Sequence, residues 1–437
     1  MDDRLGWTGA AHDSLHHWPE WTRFATAVRT DGFDRVLICG MGGSSLAPWV
    51  LARSFGTGSL DILDSTDPAA VVDAERRHPI GRTLFLIVSK SGSTVETLAA
   101  YQYFAARGRR DQFVAVTDPG SPLERLAADR GFRAVFPHPP DVGGRYAALT
   151  VVGMLPAALA GIDGSTLLER ATRTDIASAR ALGAAIAIAA ASGRDKLALS
   201  PPPPVASLAH WIEQLVAESS GKAGKGVVPL VESEEATRDE IQVVREFSAD
   251  PLDLGREFLR WEYATWELCE RLGVNAFDQP NVEEAKVLAR AELANPQAAP
   301  PPATLSAAAL RRAARRGDYF VLLAYLPPRP DVTAALQRAR AAWGRALDVA
   351  STMGFGPRYL HSTGQLHKGG PNTGLFLVVT ADPETDLDIP GLGTTFGRLQ
   401  QAQATGDIRA LVARGRRVCH VHLADQGDLA RLAVVPS

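Results

Sequence analysis

Short runs rich in valine, isoleucine, leucine and phenylalanine recur through the first part of the chain and constrain its fold more than any other feature. RVLICG, LDILDS, TLFLIVS, QFVAVTD and FRAVFP are each about the length of a strand. Between them lie segments with helical spacing: Ser45 to Phe55, Pro68 to His78, Val95 to Arg107 and Pro122 to Asp129. Strand alternating with helix predicts a parallel sheet covered on both faces.

A long helical stretch follows GGRYAALTVVGMLPAALAGI and reaches about Ser192, where SPPPP stops it because proline cannot continue a helix. The alanine-rich ALGAAIAIAAA inside it is too short to span a membrane and reads as a buried helix. A second series then begins, with KGVVPLVE, YFVLLAYL, GLFLVVT and RVCHVHL separated by helices over Asp253 to Arg271, Val332 to Ala350 and Thr395 to Ala404. The proline-rich ANPQAAPPPATLS reads as an exposed link within that series. Two α/β units result, expected over residues 1–190 and 191–437, each a mainly parallel, doubly wound sheet between helices (an α-β-α sandwich). A chain of 437 residues exceeds what one core usually supports, which agrees with two units.

The charge balance excludes one class of function. With 46 basic and 49 acidic side chains, nothing suggests a nucleic-acid partner, and no apolar run suggests a membrane. Cys39, Cys269 and Cys419 lie far apart with no ligand spacing, so neither a metal site nor a disulfide framework is expected, and the cytoplasm is the expected compartment.

Four stretches carry candidate chemistry. VSKSGSTVET, residues 88–97, sets five hydroxyls, a lysine and a glycine between a strand and a helix. Free amides and the positive dipole end at a helix start, with Ser89, Lys90, Ser91 and Thr94, suit a phosphate. Ser93 and Glu96 have the spacing of a capping box, which would occupy Ser93 as a cap. ICGMGGSSLAP places Gly40, Gly42 and Gly43 after a strand, a turn that lets backbone approach a ligand or simply reverses the chain. In DVGGRYAALT, Arg145 opens an apolar helix, there to meet an anion or to snorkel to solvent. In AESSGKAGKG, Glu218 ends a helix before a glycine turn, as a proton shuttle or a solvated carboxylate.

Taken in order, GMGGSSLAP, SKSGSTVET, GGRYAALTVVGMLP, ESSGKAGKGVVP and GVNAFDQPNVEEAK resemble the phosphoglucose isomerase family, whose halves are two sugar isomerase (SIS) domains. The resemblance covers about residues 34 to 290. It implies interconversion of glucose 6-phosphate and fructose 6-phosphate through an enediolate, with no cofactor and no metal. It carries the phosphate to Ser89, Lys90, Ser91 and Thr94, the sugar to Gly43 and Ser44, the catalytic base to Glu218 and charge stabilisation to Arg145. Gln279 and Lys286 fall on its F-D-Q-P and V-E-x-x-K elements, close to the substrate ring. A homodimer is the family's usual assembly.

One motif is out of order. The family's histidine segment usually precedes F-D-Q-P, whereas here RYLHSTGQLHKGGP follows it by some eighty residues. His361 and His367 both fit a ring-opening histidine, and His361 is the better match. A late histidine segment with further strand-helix material looks like the isomerase portion of fused transaldolase and phosphoglucose isomerase proteins. An isomerase that also accepts mannose 6-phosphate, or a non-catalytic SIS module that senses a sugar phosphate, are the rival readings.

Overall fold

The computed structural model of the chain describes residues 4–231, 241–295, 304–424 and 426–436. After the helix α1 (Ala10–Thr30), the five early apolar runs form the expected strands: β1 (Arg35–Gly40), β2 (Leu60–Leu63), β3 (Thr83–Val88), β4 (Phe113–Thr117) and β5 (Ala134–Pro137). They pair in parallel in the order β2-β1-β3-β4-β5, with registers such as Ile38 to Leu86 and Val88 to Val116. Helices α2 (Leu46–Phe55), α3 (Pro68–Arg77), α4 (Val95–Ala105) and α5 (Pro122–Arg130) follow β1 to β4 in turn. β3 is buried at every position, as a strand covered on both faces must be.

The local sequence writes several helix ends. Asp67 accepts from the amides of Ala69 and Ala70 ahead of Pro68, and Ser121 accepts from that of Glu124 ahead of Pro122. Gly131 closes α5 in the left-handed region. The sheet order reverses between β1 and β3, so no crossover helix covers the gap beyond their carboxyl ends. Residues 41–45 and 89–94 flank that gap.

The chain continues through α6 (Val151–Leu159), α7 (Gly164–Ala171) and α8 (Ile176–Ala191) to β6 (Lys196–Leu199), α9 (Leu208–Ser220), β7 (Val228–Val231), β8 (Ile241–Val244), α10 (Leu254–Leu272) and α11 (Val282–Ala294). It then runs through α12 (Ala307–Arg312), β9 (Tyr319–Tyr325), α13 (Pro330–Leu347), β10 (Ala350–Phe355), α14 (Gly364–Gly369) and β11 (Gly374–Ala381). A two-residue hairpin pair, β12 (Asp388–Ile389) and β13 (Thr394–Thr395), precedes α15 (Phe396–Ala413) and β14 (Arg417–Leu423).

The second series differs from expectation in its sheets. It makes two, β7-β6-β8 and β10-β9-β11-β14, both parallel. They nonetheless share one apolar core, in which Leu230 and Ile241 meet Val321 and Val378. The end of KGVVPLVE and residues 296–303 of the proline-rich link lie outside the described residues.

The alanine-rich helix α8 also departs from its reading as buried. Only Ala179, Gly183, Ile186 and Ala187 are buried, while Ile188 is 65% exposed. Gly183 explains this: a Cβ there would strike the Ala264 carbonyl of α10, so the two helices pack backbone to backbone along one stripe. Among the described residues no single helix is long and apolar enough to cross a membrane. On α10, Glu262 is buried with no hydrogen-bond partner for either carboxyl oxygen among the described residues, and burial holds its pKa well above 4.5.

Candidate active site

The hydroxyl-rich loop sits at the carboxyl end of β3, beside the gap in the sheet order. The cap position of α4 is Thr94, whose extended backbone makes no side-chain cap bond. The first amides of α4 therefore lack intrahelical acceptors at an anion-favouring helix end. Ser91, Ser93 and Thr94 line a cavity of about 220 Å³ there, together with Glu96, Lys286 and His361.

Not every hydroxyl faces that cavity. Ser89 is 2% exposed and knits the loop from within: its Oγ accepts from the Gly92 amide at 3.1 Å and meets Thr94 Oγ1 at 2.9 Å. Lys90 turns away to Asp118 Oδ2 at 2.7 Å and the Pro140 carbonyl at 3.2 Å. A carboxylate within reach in the next strand-to-helix loop holds the ammonium by direct charge attraction. The capping box from Ser93 to Glu96 does not form. Ser93 instead contacts Ser91, Oγ to Oγ at 3.0 Å, and Glu96 is drawn elsewhere.

Glu96 is 7% exposed and accepts from Gln403 Nε2 of α15 at 2.7 Å. Its Oε1 also lies 2.9 Å from His361 Nε2. Burial pushes the Glu96 pKa up, but the charge and hydrogen bond of His361, with Lys286 farther off, outweigh it and hold Glu96 below 4.5. His361 ends a 3-10 turn, Arg358–His361, and its carbonyl accepts from Gln214 Nε2 of α9 at 2.6 Å. His367 is a core histidine on α14. Its ring packs against Tyr319 and Phe376, and burial keeps it neutral, with a pKa well below 6.5.

Glu218 lies in the last turn of α9, 2% exposed. Its Oε2 accepts from Gln279 Nε2 at 2.8 Å and stands 3.7 Å from Arg145 NH1. Burial raises the Glu218 pKa above 4.5, and the charges of Arg145 and His361 oppose that rise without cancelling it. Arg145 is no snorkelling arginine: it is buried in a 3-10 turn, Gly144–Tyr146, ahead of α6. Its Nε donates to Ser219 Oγ at 2.8 Å and its NH2 to the carbonyls of Ala276 and Asp278, which fixes the guanidinium with one nitrogen toward Glu218.

The glycine turn joins these groups. A Cβ on Gly42, whose φ is +56°, would strike the His361 carbonyl and come 2.7 Å from Gln214 Nε2. On Gly43 it would strike the Gly144 carbonyl and come 2.8 Å from the Arg145 nitrogen. The glycines thus seat the arginine and histidine turns against one another. Ser44 stays half-buried in the same turn, its amide on the Met41 carbonyl. Lys286, on α11, lines the same cavity.

Two groupings result: Ser91, Ser93, Thr94, Glu96, His361 and Lys286 around the cavity, and the buried pair Arg145 and Glu218 with the exposed Gln279 bonded to it. Gln214 connects them, since its Nε2 also reaches Glu218 Oε2 at 3.5 Å. Sequence reasoning misses Glu96, Gln214 and Gln403. The glutamate following Ser-Thr is visible, but a capping role already accounts for it.

A parallel sheet with a hydroxyl-lined crevice where its strand order reverses, and a buried carboxylate–guanidinium pair beside it, defines a doubly wound α/β protein with a ligand crevice at its switch point. Its fold is that of a solved glucose-6-phosphate isomerase from Chlamydia trachomatis, with a TM-score of 0.54 at 18% identity over 65% of this chain and 74% of that one. In sequence the chain is a homologue of proteins named glucose-6-phosphate isomerase. One from Thermosynechococcus vestitus is 38% identical over 215 residues, 44% of this chain and 40% of the relative. Another, from Rubrobacter xylanophilus, is 34% identical over 235 residues, 47% of this chain and 54% of that one. The chain thus spans about half the length of these relatives or less. No protein-family model matches it.

Proposed function

We propose that this chain is an aldose-ketose isomerase that interconverts glucose 6-phosphate and fructose 6-phosphate. The observation that carries the proposal is the buried pair of Glu218 and Arg145, 3.7 Å apart beside a hydroxyl-lined helix start. Moving a carbonyl between C1 and C2 needs a base that takes a proton from one carbon and returns it to the other, and a cation for the enediolate formed in between. Glu218, desolvated but ionisable, serves as the base. Arg145, held by Ser219 and two carbonyls, needs no reorganisation when charge develops on the substrate oxygens.

Ser91, Ser93 and Thr94 with the first amides of α4 would hold the phosphate, and Lys286 adds positive charge to the same cavity. Ser44 and Gln279 stand near the sugar. His361, oriented by Glu96, would move the proton when the cyclic sugar opens. Ser89 supports the loop from behind, and Lys90 acts through Asp118 rather than on the phosphate. No resident cofactor has a part in this scheme. The two units would meet at the site, divided near residue 190, in a cytoplasmic protein assembled as a homodimer.

A coupled assay of fructose 6-phosphate conversion, run with wild type and Glu218→Gln, tests the reading. Turnover by wild type and its loss in the variant support it. Binding of the sugar phosphate without turnover by either protein would replace it with a sensing role.

A further inference from the structure

A second cavity, of about 890 Å³, opens at the carboxyl ends of β6 and β10, where Ser200 and Met353 line it. In parallel α/β sheets this edge is where ligands bind. It is distinct from the crevice of the first sheet and has no part in the reaction above.

Its wall is cationic. Arg53 from α2, Arg245 just past β8 and Arg358 from the turn that carries His361 converge on it, against one lining carboxylate, Glu213. Among the described residues, the side chains of Arg53 and Arg245 have no carboxylate partner, and Arg358 meets Asp64 at 3.2 Å. Trp49 organises two of the guanidinium groups, with Arg358 5.0 Å and Arg53 5.8 Å from its ring centre. His210 packs edge-on to the same indole at 5.2 Å.

Two hydroxyls point to a ligand independently of the charges. Thr352 and Ser362 line the cavity on residues only 7% and 6% exposed, and their side chains make no hydrogen bond among the described residues. Hydroxyls so placed, next to converging guanidinium groups, match the acceptor oxygens of a phosphate.

We infer that this cleft is a second anion site, taking a phosphorylated metabolite. Three arginines from three elements, set against Glu213 in the lining and Asp64 on Arg358, leave the cleft net positive. Occupancy reaches the catalytic groups through two short connections. The turn that presents Arg358 and Ser362 to the cleft presents His361 to Glu96 on its other side. Helix α9, entering the cleft at His210, carries Gln214 and Glu218 one and two turns farther on.

Inorganic pyrophosphate is the probe, tested on the full chain and on Arg53→Ala/Arg245→Ala, two exposed positions remote from Glu218. Calorimetry is expected to find one more bound pyrophosphate per chain in wild type than in the double variant. Equal stoichiometry and affinity in the two proteins would overturn the proposal. This arm does not depend on the isomerase reading. Kinetics supply the second arm, which rests on it. Competition at the sugar-phosphate crevice raises only the apparent KM, so a two-fold or larger change in kcat with pyrophosphate is expected in wild type and absent in the double variant. A kcat effect that persists in the double variant would remove the connection to His361.

Discussion

Glu96 and His361 are separated by 265 residues of chain and by 2.9 Å in the fold. A buried carboxylate on one imidazole nitrogen fixes the ring's orientation, leaving the other nitrogen for a substrate. Glu96→Gln keeps the shape and removes the charge. The expected result is a loss of about 10²-fold in kcat/KM, within the range for a general acid-base group, on cyclic fructose 6-phosphate, with little change on open-chain substrate. Rapid-mixing assays with the two forms check it, and equal losses on both would exclude a ring-opening role.

For Glu218 the direction in which its pKa moves sets the pH profile. Burial raises this carboxyl above 4.5, so the acidic limb of kcat/KM is expected above that value. Arg145 lowers the Glu218 pKa, so Arg145→Gln should move the residual limb to higher pH and reduce kcat by about 10² to 10³. A limb that stays in place would show that Glu218 is not the titrating base.

In the hydroxyl loop, the expected ranking departs from what charge alone suggests. Ser93→Ala removes a hydroxyl on the cavity wall and should raise the KM for fructose 6-phosphate several-fold. Lys90→Ala removes a partner of Asp118 and should change KM by less than two-fold. Steady-state kinetics on both variants decide between them.

Gly43→Ala places a methyl group against the Gly144 carbonyl and the Arg145 nitrogen. Backbone cannot yield there as a flexible side chain would, so a loss of about 1–3 kcal/mol is expected in urea unfolding, together with reduced kcat from a displaced guanidinium.

Glu262 makes a separate prediction about stability. Its folded pKa lies well above 4.5, so the folded state holds a proton that the unfolded chain releases. The contribution to stability is full below pH 4.5 and is lost as pH rises through the folded value, at about 1.4 kcal/mol for each pH unit of that window. Glu262→Gln should therefore be more stable than wild type at about pH 8 and close to it at about pH 5, by urea midpoints.

The first sheet was legible because β1, β3 and β4 were apolar runs ended by a glycine, serine or aspartate, and α3 and α5 carried their own caps. Of the candidate site, Arg145 stood out because a guanidinium ahead of an apolar helix needs a partner, and the fold buries it 3.7 Å from Glu218. Long-range partners left no local trace: Glu96 had a sufficient explanation three residues away, and only the approach of Gln403 and His361 displaced it. The partner of Lys90 was hidden for the same reason, since Asp118 lies beyond any spacing rule. The division of the second series into two sheets was hidden because either arrangement buries the same apolar runs.

Helix α15 supplies Gln403 to Glu96 and to Thr66, and Gln400 to Asp67, from more than 300 residues downstream. During synthesis the first sheet has all its strands long before α15 leaves the ribosome, and domains fold largely in order of emergence. The nascent chain therefore carries an unfinished crevice, with Glu96 open to water. Only the arrival of α15 closes it, so a product cut short before Gln403 would keep a folded first sheet whose buried carboxylate had lost its amide partner.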